Sequence, residues 1–241
     1  MNPSKSQRGE IEPWLANYRE FRQERCDVGL ANFEREFQRL AAELQPLRAS
    51  AAQRIAAEAP NFNVFRILRL ERKELITHSP FLANLLSPAG THAQGDLFLR
   101  LFIERLEQKQ ARLPASIAGG RWFVRQEQVT DSGNLDIHLW SHPLRCQIVI
   151  ENKIGAADQN DQLPRYWDHM QTQRGQFDFQ QLVYLTPQPR VPAVTGKPLP
   201  PYINLTYRDD ICALLRAALA VIHSPRLQYS LEQYLEVTTT C

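Results

Sequence analysis

With 241 residues, 43% of them hydrophobic and 22% charged, the chain suits one ordinary globular domain with a modest extension, and its net charge of +2 neither announces nor excludes a nucleic-acid binder. The polar start, Met1 to Glu12, has no apolar run like a secretion signal, and no stretch approaches the roughly 20 apolar residues of a membrane span. The four cysteines (Cys26, Cys146, Cys212 and Cys241) lack any C-x-x-C pair, which argues against a zinc or disulfide framework and for reduced thiols in a cytoplasmic protein.

Residues 11–58 predict helix. Ile11, Trp14, Leu15, Tyr18 and Phe21 recur at helical spacing. Cys26, Leu30, Phe33, Phe37, Leu40, Leu44, Leu47 and Ala51 then alternate steps of four and three. Pro46 removes a backbone donor and clashes with the preceding turn, so a break or kink is expected there. The heptad-like spacing fits a coiled coil or dimerisation arm, for a second copy or another protein; the plainer and preferred reading is a helical hairpin folded against its own domain.

After the turn at Pro60-Asn61, Asn63 to Leu70 and Lys73 to Leu86 read as short helices, with Ser79-Pro80 as cap and first residue of a restart. Asp96 to Gln110 is strongly amphipathic. The texture changes at Gly119-Gly120. Trp122 to Val129 and Leu135 to Trp140 alternate apolar and polar residues, and Gln147 to Ile150 is a short β-branched run. The turns between them are Asp131-Ser132-Gly133-Asn134 and Ser141-His142-Pro143. Asp158 to Gln173 predicts a helix, Gln181 to Leu185 and Tyr202 to Leu205 strands, and residues 208–223 and 226–238 helices. The expectation is an α/β domain over 59–241 with a small mixed central sheet, preceded by a helical extension over 1–58.

The chemistry concentrates in Asn134-Leu135-Asp136-Ile137 and Ile148-Val149-Ile150-Glu151-Asn152-Lys153. An acid interrupts one predicted strand and a second ends the next. Lys153, two residues beyond Glu151, points to the same face of an extended chain. Neighbouring strands lie roughly 4.8 Å apart, so the two carboxylates could converge, and would then repel unless a cation or a proton came between them. Oxygen ligands suit a hard ion such as Mg²⁺, with the lysine stabilising charge on a phosphate or helping to deprotonate water. The bland alternative is an exposed aspartate beside a surface Glu–Lys pair.

Together with Asp158-Gln159 and the Gln162-Leu163-Pro164-Arg165-Tyr166 segment, these motifs resemble the PD-(D/E)XK nuclease superfamily, and more closely a bacterial and phage-associated branch of it. Glu74 to Ser79, Leu85 to Pro88, His92 and Phe98-Leu99 are similar to that branch's upstream helical motif. The resemblance covers roughly residues 62–207. It implies a restriction-endonuclease-like core and a Mg²⁺- or Mn²⁺-dependent nuclease acting on DNA, with RNA as the alternative substrate. Asp136 and Glu151 would be metal ligands, assisted by the carbonyl of Asn152 and by Glu74, often through water, and Lys153 would be the catalytic lysine. Leu135 stands where the superfamily's name-giving proline would be, a substitution common in the superfamily. Gln162 and Tyr166, one helical turn apart, resemble a Q-x-x-x-Y pair found near the bound strand in nucleases that process DNA ends. The branch's company also suggests defence against phage. A second class of function, a nuclease-fold subunit that binds or assembles with a partner, is motivated by the long helical N-terminus.

Arg165, Arg125 and Arg121 are candidate phosphate contacts, though surface arginines commonly have no such role. His78 and His92 read as structural rather than metal ligands, and Glu127 as a supporting acid whose face the sequence does not settle.

Overall fold

The computed structural model describes residues 5–116, 120–130, 133–155 and 160–240, with side chains from 12 to 239. The chain divides into two units, Met1–Phe62 and Asn63–Cys241. Among the described residues no helix is long and apolar enough to cross a membrane.

The first unit is essentially one helix, α1 (Lys5–Glu58), with Pro13 and Pro46 inside it. The helix continues through Pro46, so of the break or kink expected there the break does not occur, and among the described residues no hairpin forms. Pro46 has no N–H to offer the carbonyl of Ala42, but Ala42 is exposed, so water can satisfy that group.

The second unit opens with α2 (Val64–Ile67). Its cap is Asn63, whose Oδ1 accepts from the N–H groups of Phe65 and Arg66 while its Nδ2 donates to the carbonyl of Gln233. A π-helical turn (Glu74–His78) runs directly into α3 (Ser79–Leu86). Ser79 is therefore not the cap that its Ser-Pro sequence suggests. Its backbone is already helical, and its hydroxyl accepts from the side chain of Asn152 instead. α4 (Leu97–Gln108) follows. Next come β1 (Phe123–Thr130), β2 (Gly133–Ser141), β3 (Cys146–Asn152), α5 (Gln162–Thr172), β4 (Phe179–Thr186) and β5 (Ile203–Thr206). A second π-helical turn (Tyr207–Ile211), α6 (Cys212–Leu219) and α7 (Pro225–Thr240) complete the unit.

The five strands lie in chain order. β1, β2 and β3 pair antiparallel, while β3–β4 and β4–β5 are parallel, so the sheet is mixed and the fold α/β. β3 is central and buried at every residue, which is why Ile148-Val149-Ile150 shows no alternation; β1, at an edge, does alternate. On one face α5 sets Leu163, Tyr166 and Met170 against Val149, Leu182 and Tyr184. On the other, α3, α4, α6 and α7 enclose Ile137, Leu139, Ile148 and Ile150 with Phe98, Phe102 and Leu106.

Asp158 and Gln159, expected to begin α5, lie outside the described residues. Helix α5 itself begins at Gln162 because Asp161 adopts φ 56°, a left-handed conformation that cannot continue a helix. The Asp161 carboxylate accepts from the N–H groups of Thr195 and Gly196, at 2.9 and 3.3 Å, tying the proline-rich loop between β4 and β5 to the start of α5.

Candidate active site

The β2–β3 ladder pairs Ser141 with Cys146 and ends at Ile137–Ile150, so the next positions along it are Asp136 and Glu151. There the ladder lapses. The N–H of Asn152 donates to Asp136 Oδ2 at 2.8 Å rather than to a strand carbonyl. The β1–β2 ladder also skips the position between its Gln126–Ile137 and Gln128–Leu135 pairs. Glu127, the β1 residue at that gap, has φ 48°, a conformation non-glycine side chains rarely adopt. Both pairings beside Asp136 thus give way at this one residue, and strain of this kind clusters at functional sites.

Three charged side chains meet under this gap. Asp136 and Lys153 are each 7% exposed and Glu151 1%, so all are withdrawn from solvent. Lys153 Nζ lies 2.8 Å from Glu151 Oε1, and the Tyr166 hydroxyl also acts on the Glu151 carboxylate, favouring its ionised form. Burial, reinforced by the charge of Asp136, pushes Glu151 up to about 8 against the pull of Lys153. Burial likewise pushes Asp136 up to about 6, opposed by the Asn152 N–H and by Lys153. Burial alone would lower Lys153, but the carboxylates of Glu151, Asp136 and Glu74 outweigh it and hold the lysine above its ordinary value. The pocket therefore contains an ammonium and two carboxyls that retain protons far more readily than ordinary acids.

That arrangement suits a divalent cation. The buried Glu151 carboxylate would gain a positive partner besides Lys153, and the like-charge penalty between it and Asp136 would fall. Among the described residues no three His, Cys, Asp or Glu side chains converge on one point that could hold a metal.

Asn152 cannot contribute its side chain. Nδ2 donates to Ser79 Oγ at 3.0 Å and Oδ1 accepts from the Tyr207 hydroxyl at 2.9 Å, leaving only the backbone free to take part in the pocket. These two partners, from the start of α3 and from the turn after β5, hold the end of β3 in place; the one-dimensional pattern pointed to neither as a site residue. Asn152→Ala would leave the buried Tyr207 and Ser79 hydroxyls without this partner, and the expected cost is about 2–4 kcal/mol of unfolding free energy, read from urea denaturation.

Glu74 sits in the π-helical turn, and its Oε1 accepts from the N–H groups of Ile154 and Gly155, both at 2.7 Å. It clamps the backbone just after Lys153 and is near enough to raise Asp136 electrostatically. Gln162 and Tyr166 do share a face of α5, but both are buried. Gln162 Nε2 donates to the Tyr166 hydroxyl at 2.8 Å, and that hydroxyl donates to the carbonyl of Asn134, two residues before Asp136. Tyr166→Phe is expected to lower unfolding free energy by about 1–2 kcal/mol, measured by chemical denaturation, because the Asn134 carbonyl and the Gln162 amide both lose a partner.

Arg165 is half-buried on α5. Arg121 lies over the Phe123 ring and Arg125 over the Trp140 ring, at 5.1 and 5.9 Å, so both have aromatic partners, on β1 and β2 respectively. His78 is buried, accepting from Tyr234 and donating to the Glu71 carbonyl, and burial lowers its pKa. His92 accepts from the Gln94 N–H and donates to the Ser87 carbonyl. Both histidines thus serve as braces, as their sequence context suggests.

A family model described as the PD-(D/E)XK nuclease superfamily matches residues 62–235, from just before α2 into α7. No curated protein and no solved structure gives a match.

Proposed function

The chain belongs to the PD-(D/E)XK nuclease superfamily, and from that premise we propose that it is a Mg²⁺- or Mn²⁺-dependent nuclease that hydrolyses phosphodiester bonds in DNA. The observation that carries this reading is the meeting of Asp136, Glu151 and Lys153 in one buried pocket, with Glu151 held there by the Lys153 ammonium at 2.8 Å. Asp136 and Glu151, helped by the carbonyl of Asn152, would hold the ion, with Glu74 adding negative charge through an intervening water. A divalent ion there supplies Lewis-acid polarisation of the scissile phosphate and makes water more acidic.

The rest of the work falls to the chain. Lys153 stays cationic because three carboxylates surround it, and so it faces the negative charge that grows on the phosphoryl oxygens in the transition state. Glu74 holds the backbone from which Lys153 departs, and Tyr166, through Asn134, holds the strand that carries Asp136. Gln162 and Tyr166 act in this reading by positioning β2. Arg165, on the same helix, is the phosphate contact we assign to that side of the site. DNA as substrate is supported by the similarity of the Gln162–Tyr166 pair to that of nucleases acting on DNA ends.

The test is to incubate the purified chain with supercoiled plasmid, linear duplex and a structured RNA, each with Mg²⁺, Mn²⁺ or EDTA. Metal-dependent cleavage of either DNA is expected. Cleavage of the RNA alone would overturn the DNA assignment, and no cleavage of any substrate would overturn the enzyme reading in favour of a binding or assembly role.

A further inference from the structure

We infer that residues 26–51 of α1 form a parallel, in-register two-stranded coiled coil with a second copy of this chain. The apolar positions step by four and three throughout this window, about four heptads. Leu30, Phe37 and Leu44 fall at one set of core positions. Phe33, Leu40 and Leu47 fall at the other, with Cys26 one heptad earlier in that second set. A strict seven-residue repeat keeps its seam on one side of a left-handed supercoil, whereas the stripe of a helix lying on a globular face drifts with the 3.6-residue turn. The seam is bare: Phe33 is 67% exposed and Leu47 66%. Among its described residues the unit holds, apart from a short turn, only this helix, and a helix in water draws most of its stability from packing an apolar face.

Charge decides what covers the seam and in which direction. In a parallel pair each residue just before a core position of the first set faces the residue five further on in the other copy. Those facing pairs are Gly29 with Glu34, Glu36 with Ala41 and Glu43 with Arg48, together with Arg22, just before the window, and Asp27. Two are attractive and none repulsive, and twofold symmetry makes each occur twice. In the antiparallel register that keeps the same core layers together, Asp27 still meets Arg48, but Glu36 is set against Glu43. The repulsive contacts then offset the attractive ones. Within a single helix Glu43 also pairs with Arg39 at 3.1 Å, but both side chains are largely exposed, and such a pair competes weakly. The chain is therefore complementary to itself, and only when parallel.

The experiment uses the full chain with Cys241 replaced by serine, leaving Cys26 as its one exposed thiol, since Cys146 and Cys212 are buried. Light scattering should report twice the 27.8 kDa chain mass. Mild oxidation should give a covalent dimer, lost in Cys26→Ser, because only the parallel register brings Cys26 beside its own counterpart; the antiparallel one sets it beside Ala51. Leu40→Asp should return the protein to monomer while leaving the thermal unfolding of the second unit unchanged. A wild-type monomer, or a dimer indifferent to Leu40→Asp, would overturn the inference. So would a dimer that Cys26 fails to cross-link. None of these readouts needs catalysis, so the inference stands or falls apart from the nuclease assignment.

Discussion

Lys153→Ala is expected to slow metal-dependent cleavage by roughly 10²–10⁴-fold, the range typical of removing one preorganised charge or proton donor from a water-poor site. The reason lies in what holds the lysine. The residue is 7% exposed, and its ammonium lies 2.8 Å from Glu151 Oε1 and is kept charged by Glu151, Asp136 and Glu74. A cation so fixed need not reorganise as charge develops at phosphorus. Removing it also takes from Glu151 the charge that opposes its protonation, so metal affinity should fall together with the rate. Single-turnover rates measured across a metal titration separate the two effects. A rate deficit that persists at saturating metal assigns Lys153 to the chemistry, and one that vanishes assigns it only to holding Glu151 ionised. Lys153→Arg keeps the charge but places a planar fork where a compact ammonium fits, and should recover only part of the rate. A Lys153→Ala enzyme within threefold of wild type at every metal concentration would remove the lysine from the mechanism.

The parts of this site that lie along one strand were legible in the sequence, and those brought from elsewhere were not. Glu151 and Lys153 follow a four-residue run with no formal charge on a buried central strand, and Asp136 interrupts the neighbouring one. Period-two alternation puts Glu151 and Lys153 on one face, and the spacing of the acids allows Asp136 to converge on them if the two strands pair. The Asn152 side chain joins Ser79 to Tyr207 across more than fifty residues on either side, and no local pattern encodes such a contact. Ser79 was misleading because Ser-Pro is a common helix start, yet the hydrogen bond to Asn152 and the preceding π-helical turn claim the residue for another purpose. Pro46 was misleading in the opposite sense. A proline removes a helical hydrogen bond and crowds the preceding turn, yet this helix continues, and the Ala42 carbonyl that loses its donor is exposed to water. The left-handed backbones of Asp161 and Glu127, one ending the approach to α5 and one opposite Asp136, depend on tertiary context that propensity does not contain.

The most diagnostic variants are the acids themselves. Glu151→Gln and Asp136→Asn should each abolish cleavage, and each should make the metal-free protein more stable at alkaline pH. The sign follows from the direction of the shifts. An unfolded glutamate ionises near its ordinary value of 4.5, whereas in the folded chain burial and Asp136 hold Glu151 up to about 8. Between those values the folded state binds more protons than the unfolded one. Stability is therefore full below the lower value, falls as pH rises, and levels off above the upper one. Asp136, pushed up to about 6, adds a smaller loss of the same sign. Together the losses are on the order of a few kcal/mol, and a neutral amide at either position removes its share. A divalent ion reverses the slope, because it binds the ionised carboxylates of the folded state and so stabilises more as pH rises. Melting temperatures from about pH 5 to 9, in EDTA and in millimolar Mg²⁺, should show wild type declining steeply without metal and recovering with it above neutrality. Glu151→Gln should be flatter without metal and gain little from it. A wild-type curve that is flat in EDTA, or a Mg²⁺ gain that survives Glu151→Gln, would mean that these carboxyls neither hold protons nor await a cation, and the active-site reading would lose its physical basis.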